Sequence, residues 1–108
     1  MPSVTVTVDE KGVIHCKPDP VDVKGKSPPI EFTLATPGYE FPATGAVVMK
    51  TPSPDFPEAA QRLKPQLVTL VDLNKTKGLY HYAVTVVNTA SKQSIELDPG
   101  INNEGGGG

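Results

Sequence analysis

The segment Leu79–Leu97, LYHYAVTVVNTASKQSIEL, reads as two β-strands joined by a short loop, and it decides the fold class. Leu79–Val87 is rich in β-branched and aromatic residues, Lys92–Leu97 is a shorter partner, and Asn88–Ser91 between them consists mainly of turn-forming types. With Val87 facing Lys92, Val86 faces Gln93, Val84 faces Ile95 and Tyr82 faces Leu97, so the apolar side chains gather on one face. The other face then carries Thr85 opposite Ser94, Ala83 opposite Glu96 and His81 opposite Asp98. A slip of one residue would turn Ile95 and Leu97 to the polar face, which a half-buried sheet resists. Directly opposed side chains have Cβ atoms about 5 Å apart, so this alignment predicts His81 beside Asp98.

The same period-two signal extends upstream. Ser3–Asp9 (SVTVTVD) alternates strictly, Glu10-Lys11-Gly12 reads as a hairpin loop, and Val13–Lys17 as the returning strand. Val21–Lys24, Ile30–Ala35 and Gly45–Lys50 are further strands, with a turn at Thr36-Pro37-Gly38 and a proline-rich loop over Thr51–Pro57. Gln66–Leu73 (QLVTLVDL) is a near-continuous apolar strand of the kind found inside a sheet. If it pairs with Leu79–Val87, Asp72 lies one strand over from the reactive hairpin. Twelve prolines leave little room for helices. Glu58–Lys64 (EAAQRLK), closed by Pro65, is the one helical candidate. The expected fold is an all-β, single-domain antiparallel β-sandwich of about seven or eight short strands, with a small barrel as the alternative. Residues 1–99 form the domain, and 100–108, ending in four glycines, form a flexible tail.

Composition excludes several functions. The chain has 108 residues, 37% of them hydrophobic, enough for one domain with a modest core. Its net charge of −2, with signs interspersed, carries no nucleic-acid footprint. No apolar run approaches the ~20 residues of a membrane span. The first residues lack the basic flank and apolar stretch of a signal peptide, which makes the cytoplasm the default location. Cys16 is the only cysteine, so no internal disulfide framework exists, and with two histidines the common zinc patterns are absent. No cofactor or metal is expected. His15 and Cys16 are strand neighbours on opposite faces, which leaves them without a joint role.

Asp98-Pro99 carries the available chemistry. Proline's nitrogen is a tertiary amide nitrogen, relatively basic and easily protonated as it leaves. The aspartate side chain can reach its own carbonyl carbon, close a five-membered anhydride and expel the prolyl chain, which is nucleophilic catalysis with the substrate built in. Proximity of this kind supplies about 7–11 kcal/mol when the groups are well oriented. A histidine or a raised-pKa carboxyl would supply the leaving proton. A second route uses a neighbouring carboxylate, Asp72, to activate a water. Asp19-Pro20 is an internal control, the same dipeptide in a loop without a partner strand. Each feature also has a plainer reading. Pro99 ends a strand because it cannot donate to the ladder. His81 and Asp98 form a solvated cross-strand pair worth roughly 0.2–1 kcal/mol. Asp72 accepts backbone amides at the turn beginning Asn74.

LVDLNKTKG (70–78), LYHYAVTVVNTA (79–90) and DPGINN (98–103) resemble the DP-EP family of small bacterial β-proteins, most closely over residues 66–103, with EFPATGAVVM a weaker match upstream. The resemblance implies a β-sandwich that self-assembles and cleaves itself at an Asp-Pro bond near its C-terminus. Asp98 would precede the cut, Pro99 would begin the released peptide and Asp72 would be a catalytic carboxylate. One departure stands out: a related member carries lysine where this chain has His81. A lysine beside the reactive aspartate would capture the acyl group as an isopeptide. An acyl-imidazole hydrolyses, so a free Asp98 carboxylate is expected here rather than a cross-link through residue 81. In the predicted register none of Lys75, Lys77 and Lys92 lies opposite Asp98.

Two functions of different kinds follow. One is a single-turnover, self-processing endopeptidase that cuts Asp98-Pro99 and whose only partners are itself, its own peptide and further copies. The other is a non-enzymatic β-sandwich that binds or assembles through an exposed edge strand.

Overall fold

The structure is a computed structural model describing residues 2–107. It is a two-sheet β-sandwich, with no helix among the described residues. Eleven strands follow in chain order: β1 (Ser3–Val8), β2 (Ile14–Lys17), β3 (Val21–Val23), β4 (Ile30–Leu34), β5 (Tyr39–Glu40), β6 (Val47–Met49), β7 (Gln61–Lys64), β8 (Leu67–Leu70), β9 (Gly78–Asn88), β10 (Ser94–Leu97) and β11 (Gly100–Asn103). The first sheet runs β2-β1-β4-β8-β7, and the second runs β10-β9-β11-β3 with β5 and β6 also on β9. Pairing is antiparallel except for β1 with β4 and β11 with β3, so both sheets are mixed. No helix among the described residues is long and apolar enough to cross a membrane.

Alternation builds the core as expected. Val4, Val6 and Val8 of β1 point inward, as do Ile30, Phe32 and Leu34 of β4, and they meet Tyr82, Val84, Val86 and Ile101 from the other sheet. Phe32 and Tyr82 pack edge to face across the sandwich, with ring centroids 5.3 Å apart. The Tyr82 hydroxyl is buried without a hydrogen-bond partner, whereas the Tyr80 hydroxyl donates to the Thr76 carbonyl at 3.3 Å.

Three expectations need correction. Glu58–Lys64 is not a helix; Gln61–Lys64 is β7, an exposed edge strand on β8 with a bulge between Arg62 and Lys64. A helix of about two turns cannot support itself, and β8 offers an open edge whose backbone groups need partners. Gln66–Leu73 does not pair with Leu79–Val87. Its strand β8 lies between β4 and β7 in the opposite sheet.

The third concerns residues 100–108, which begin not as a free tail but as an inner strand. Gly100–Asn103 is inserted between β9 and β3, with Ile101 and Asn103 fully buried. The following glycines run against the loop after β8. Gly105 N–H donates to Asn74 Oδ1 at 3.0 Å, and Gly107 N–H donates to the Asn74 carbonyl at 2.9 Å. A Cβ at Gly107 would collide with the Leu73 and Asn74 carbonyls. Absence of a side chain there permits close approach, and the same composition would otherwise read as flexibility.

Ile101 therefore behaves as a core residue. Ile101→Ala is expected to destabilise the chain by about 2–5 kcal/mol in urea unfolding, while Leu63→Ala on exposed β7 changes stability by about 0.5 kcal/mol or less.

Candidate functional site

Strand β9 organises the site because β10 and β11 follow one another along one of its edges, with β5 and β6 on the other. Residues 84–87 pair with β10, and residues 78–81 pair with β11. Both ladders keep one register: Leu97 lies opposite Val84, and Gly100 opposite His81. The two residues between them, Asp98 and Pro99, interrupt the ladder opposite Ala83 and Tyr82. Tyr82 N–H still donates to the Pro99 carbonyl, at 3.1 Å.

This register differs by two residues from the sequence-based alignment. The connection starts one residue later than expected, because Asn88 still pairs, donating its N–H to Gln93 O at 2.9 Å. The Asn88 side chain caps the amides of Ala90 and Ser91, and Lys92 takes a left-handed φ of 65° to close the loop. An even shift preserves the faces, so Ile95 and Leu97 still pack on the core. It does move His81, which faces Gly100 rather than Asp98. His81 is a diagonal neighbour of Asp98, at about 7–8 Å between backbones, and its side chain is exposed.

Lys50 approaches Asp98 more closely. Strand β6 pairs with the other edge of β9, Val48 opposite Ala83 and Met49 opposite Tyr82. The chain continues so that Lys50 N–H donates to His81 O at 2.8 Å. Lys50 thus leaves the sheet on the same outward face as His81 and Asp98. Its side chain reaches across β9, and Nζ stands 3.1 Å from Asp98 Oδ2. Both side chains are about half exposed, so the ion pair contributes little to stability. Its consequence is positional, since it places an amine against the Asp98 carboxylate.

The prolyl side of the bond is fixed separately. Pro99 and Gly100 are buried. Gly100 N–H donates to Asp19 Oδ1 at 2.9 Å. The second Asp-Pro dipeptide therefore stands beside the first and holds the amide one residue past the bond. Both Lys17-Pro18 and Asp19-Pro20 are cis.

Asp72 is elsewhere. Its Oδ1 accepts from Asn74 N–H at 2.9 Å, the turn-capping duty that its position before Asn74 suggests, and from Asn103 Nδ2 at 3.0 Å. Asn103 Nδ2 also donates to Asp55 Oδ2 at 3.2 Å. Asp55, Asp72, Asn74 and Asn103 are all buried and together fasten the end of β11. Asn103 lies five residues along the extended chain from Asp98, on the order of 15 Å away. The structure thus brings Asp98, Pro99 and Lys50 together with His81 nearby, and leaves Asp72 outside the group. Lys50 and Asp19 were missed in the sequence because both contacts depend on non-local pairings, β6 on β9 and β11 on β3.

No three His, Cys, Asp or Glu side chains among the described residues are grouped to hold a metal ion. Burial pushes the Cys16 thiol up to about 11, so it is a poor nucleophile at neutral pH. Compared with protein-family models and with curated proteins, the chain matches none.

Burial holds the Asp72 carboxyl above its ordinary range; neighbouring Asp55 adds to this, while the amides of Asn74 and Asn103 oppose it. The folded state therefore favours the protonated carboxyl. Its contribution is greatest below the unfolded value of about 4 and is lost as pH rises towards the folded value. Asp72→Asn keeps an acceptor for both amides and removes this ionisation. Its urea midpoint, relative to unaltered protein, is expected to rise between about pH 4 and pH 7.

Proposed function

We propose that the protein is a single-turnover, self-processing endopeptidase acting on its own Asp98-Pro99 bond, the activity implied by the resemblance to the DP-EP family. The observation that supports this best is the environment of the bond: Asp98 carries an ammonium 3.1 Å from its carboxylate, while the chain beyond Pro99 is held by Tyr82 and Asp19. The Asp98 side-chain oxygen attacks its own main-chain carbonyl carbon, the five-membered anhydride closes, and the bond to the Pro99 nitrogen breaks. Fixing both flanks of the bond limits the conformations that must be searched before the ring closes. Asp72 takes no part, and the water-activation route assigned to it has no geometric support at on the order of 15 Å. The imidazole of His81 stands one diagonal position away, within reach of solvent-relayed proton transfer.

Cutting the bond does not by itself free the peptide. Residues 99–108 contain β11, which keeps its ladders to β9 and β3 and its buried contacts at Asn103. The product is a nicked but intact sandwich.

The edge-strand reading is less favoured. Exposed β7 bears Arg62 and Lys64 and is bulged, features that oppose edge-to-edge pairing.

After incubation between pH 5 and 8, intact mass measured in denaturant is expected to show two chains divided after Asp98, and native size exclusion to show them travelling together. Asp98→Ala remains one chain, and Asp19-Pro20 stays whole in both proteins. A single full-length chain in aged, unaltered protein would refute the activity.

A further inference from the structure

The buried acids at the end of β11 have no part in the chemistry at Asp98, and their charge is unanswered. Asp55 and Asp72 are 2% and 3% exposed, and none of the ion pairs among the described residues includes either. Buried carboxylates are ordinarily paired with a cation or coordinate a metal ion. We infer that Asp55, Asp72 and Asn103 together form a binding site for one calcium ion. The inference is independent of self-cleavage.

Two separate observations carry it. The first is convergence on one amide. Asn103 Nδ2 donates to Asp72 Oδ1 at 3.0 Å and to Asp55 Oδ2 at 3.2 Å, so the carboxylates flank a single NH2 group. They sense one another, since Asp55 adds to the rise of the Asp72 carboxyl. The second is a surplus of acceptors. Asp72 Oδ2 and Asn103 Oδ1 are both buried without a hydrogen-bond partner among the described residues, and Asn103 itself is fully enclosed. Orphaned buried acceptors are rare in folded proteins. Here they adjoin two acids, where a cation satisfies lone pairs and charge together. A half-turn of the Asn103 amide exchanges Nδ2 for Oδ1 between the carboxylates, and the two ends of the amide are nearly equal in size.

The donor set selects the ion. Two carboxylates and an amide are hard oxygen ligands, which suit calcium or magnesium rather than zinc or copper. Magnesium demands octahedral geometry and keeps several of its waters, whereas calcium accepts irregular sets of about six to eight oxygens. Ligands this deeply enclosed leave little room for a retained water shell, which favours calcium. The three side chains come from separate parts of the chain: the proline-rich loop before β7, the loop after β8, and the end of β11. The two loops are already fastened to each other. Asp55 O accepts from Leu73 N–H at 2.8 Å, and Asp55 Oδ2 accepts from Thr76 N–H at 3.0 Å. A bound ion adds β11 to that joint through Asn103. Unfolding scatters the ligands, so calcium stabilises the folded chain by mass action.

Calcium chloride titrated into the chelator-treated full-length protein is expected to bind once per chain, saturating below about 1 mM, and to raise the urea midpoint. Magnesium chloride at the same concentration raises it less. In the same titration followed by NMR, the amide signals of Asn74, Thr76 and Asn103 move. Asp55→Asn and Asp72→Asn each keep an acceptor oxygen and remove a charge. Each is expected to weaken calcium binding by about tenfold or more, and the double variant to lose the calcium-dependent midpoint shift. At neutral pH the midpoint of Asp72→Asn, measured against unaltered protein, falls when chelator is replaced by calcium. The NMR titration needs no variant, so it decides the matter even where a substitution prevents folding. No calcium-dependent shift in unaltered protein, signal changes confined to other residues, an equal response to magnesium, or an undiminished shift in the double variant overturns the site.

Discussion

A proline that breaks a β-ladder normally lets the two halves drift apart, and here they do not. Strand β9 holds β10 and β11 in one continuous register, so the chain must cross from Leu97 to Gly100 with no slack. Pro99 cannot donate to the ladder, but its carbonyl is still claimed by Tyr82 N–H. The aspartate before it is left at the surface, beside the amine of Lys50. Everything proposed for this site depends on that constraint, because neighbouring-group attack is fast only where few competing conformations remain.

The constraint is anchored from the far end. Asn74, itself in a left-handed conformation with φ 53°, donates from its side chain to Gly25 O and Gly105 O and accepts from Gly105 N–H. Asp72 and Asp55 share the Asn103 amide. Burying two carboxylates together is costly, and the rise of the Asp72 carboxyl reflects it. The arrangement persists because each acid serves backbone amides as well, Asp72 that of Asn74 and Asp55 that of Thr76. These groups act on the C-terminal strand rather than on the reacting bond. For Asp72, a position two residues before Asn74 was thus a better guide to its contacts than nearness in sequence to the β9–β10 hairpin.

Local pattern made the sandwich legible: alternation in β1 and β4, the apolar run of β8, and the inward set Tyr82, Val84 and Val86 of β9 all follow from side-chain periodicity. Parity survived the misjudged loop because only an odd shift exchanges faces, so the core was right while the neighbour of Asp98 was wrong. The turn had its own signal in Asn88, whose side chain caps the amides that follow. Long-range facts were not legible. Strand β11 is four residues of GINN before a glycine run, and nothing local in it requires a place between β9 and β3. Lys50 follows a short strand and precedes a proline-rich loop, and only the pairing of β6 with β9 brings it to Asp98.

The two Asp-Pro dipeptides differ in what their carboxylates engage. In the first, the Asp19 carboxylate is engaged with the N–H of Gly100, a hydrogen bond that would have to break before the oxygen could turn on its own carbonyl. In the second, the carboxylate of Asp98 accepts from Lys50 Nζ alone among the described residues and is half exposed, so it can rotate at little cost. Identical covalent fragments therefore stand in different surroundings, and Asp19 is engaged in holding the amide one residue past the bond of its twin. The proposed cut would leave the sandwich whole, because the ladders on both sides of the bond, β10 and β11 on β9, do not depend on the bond itself.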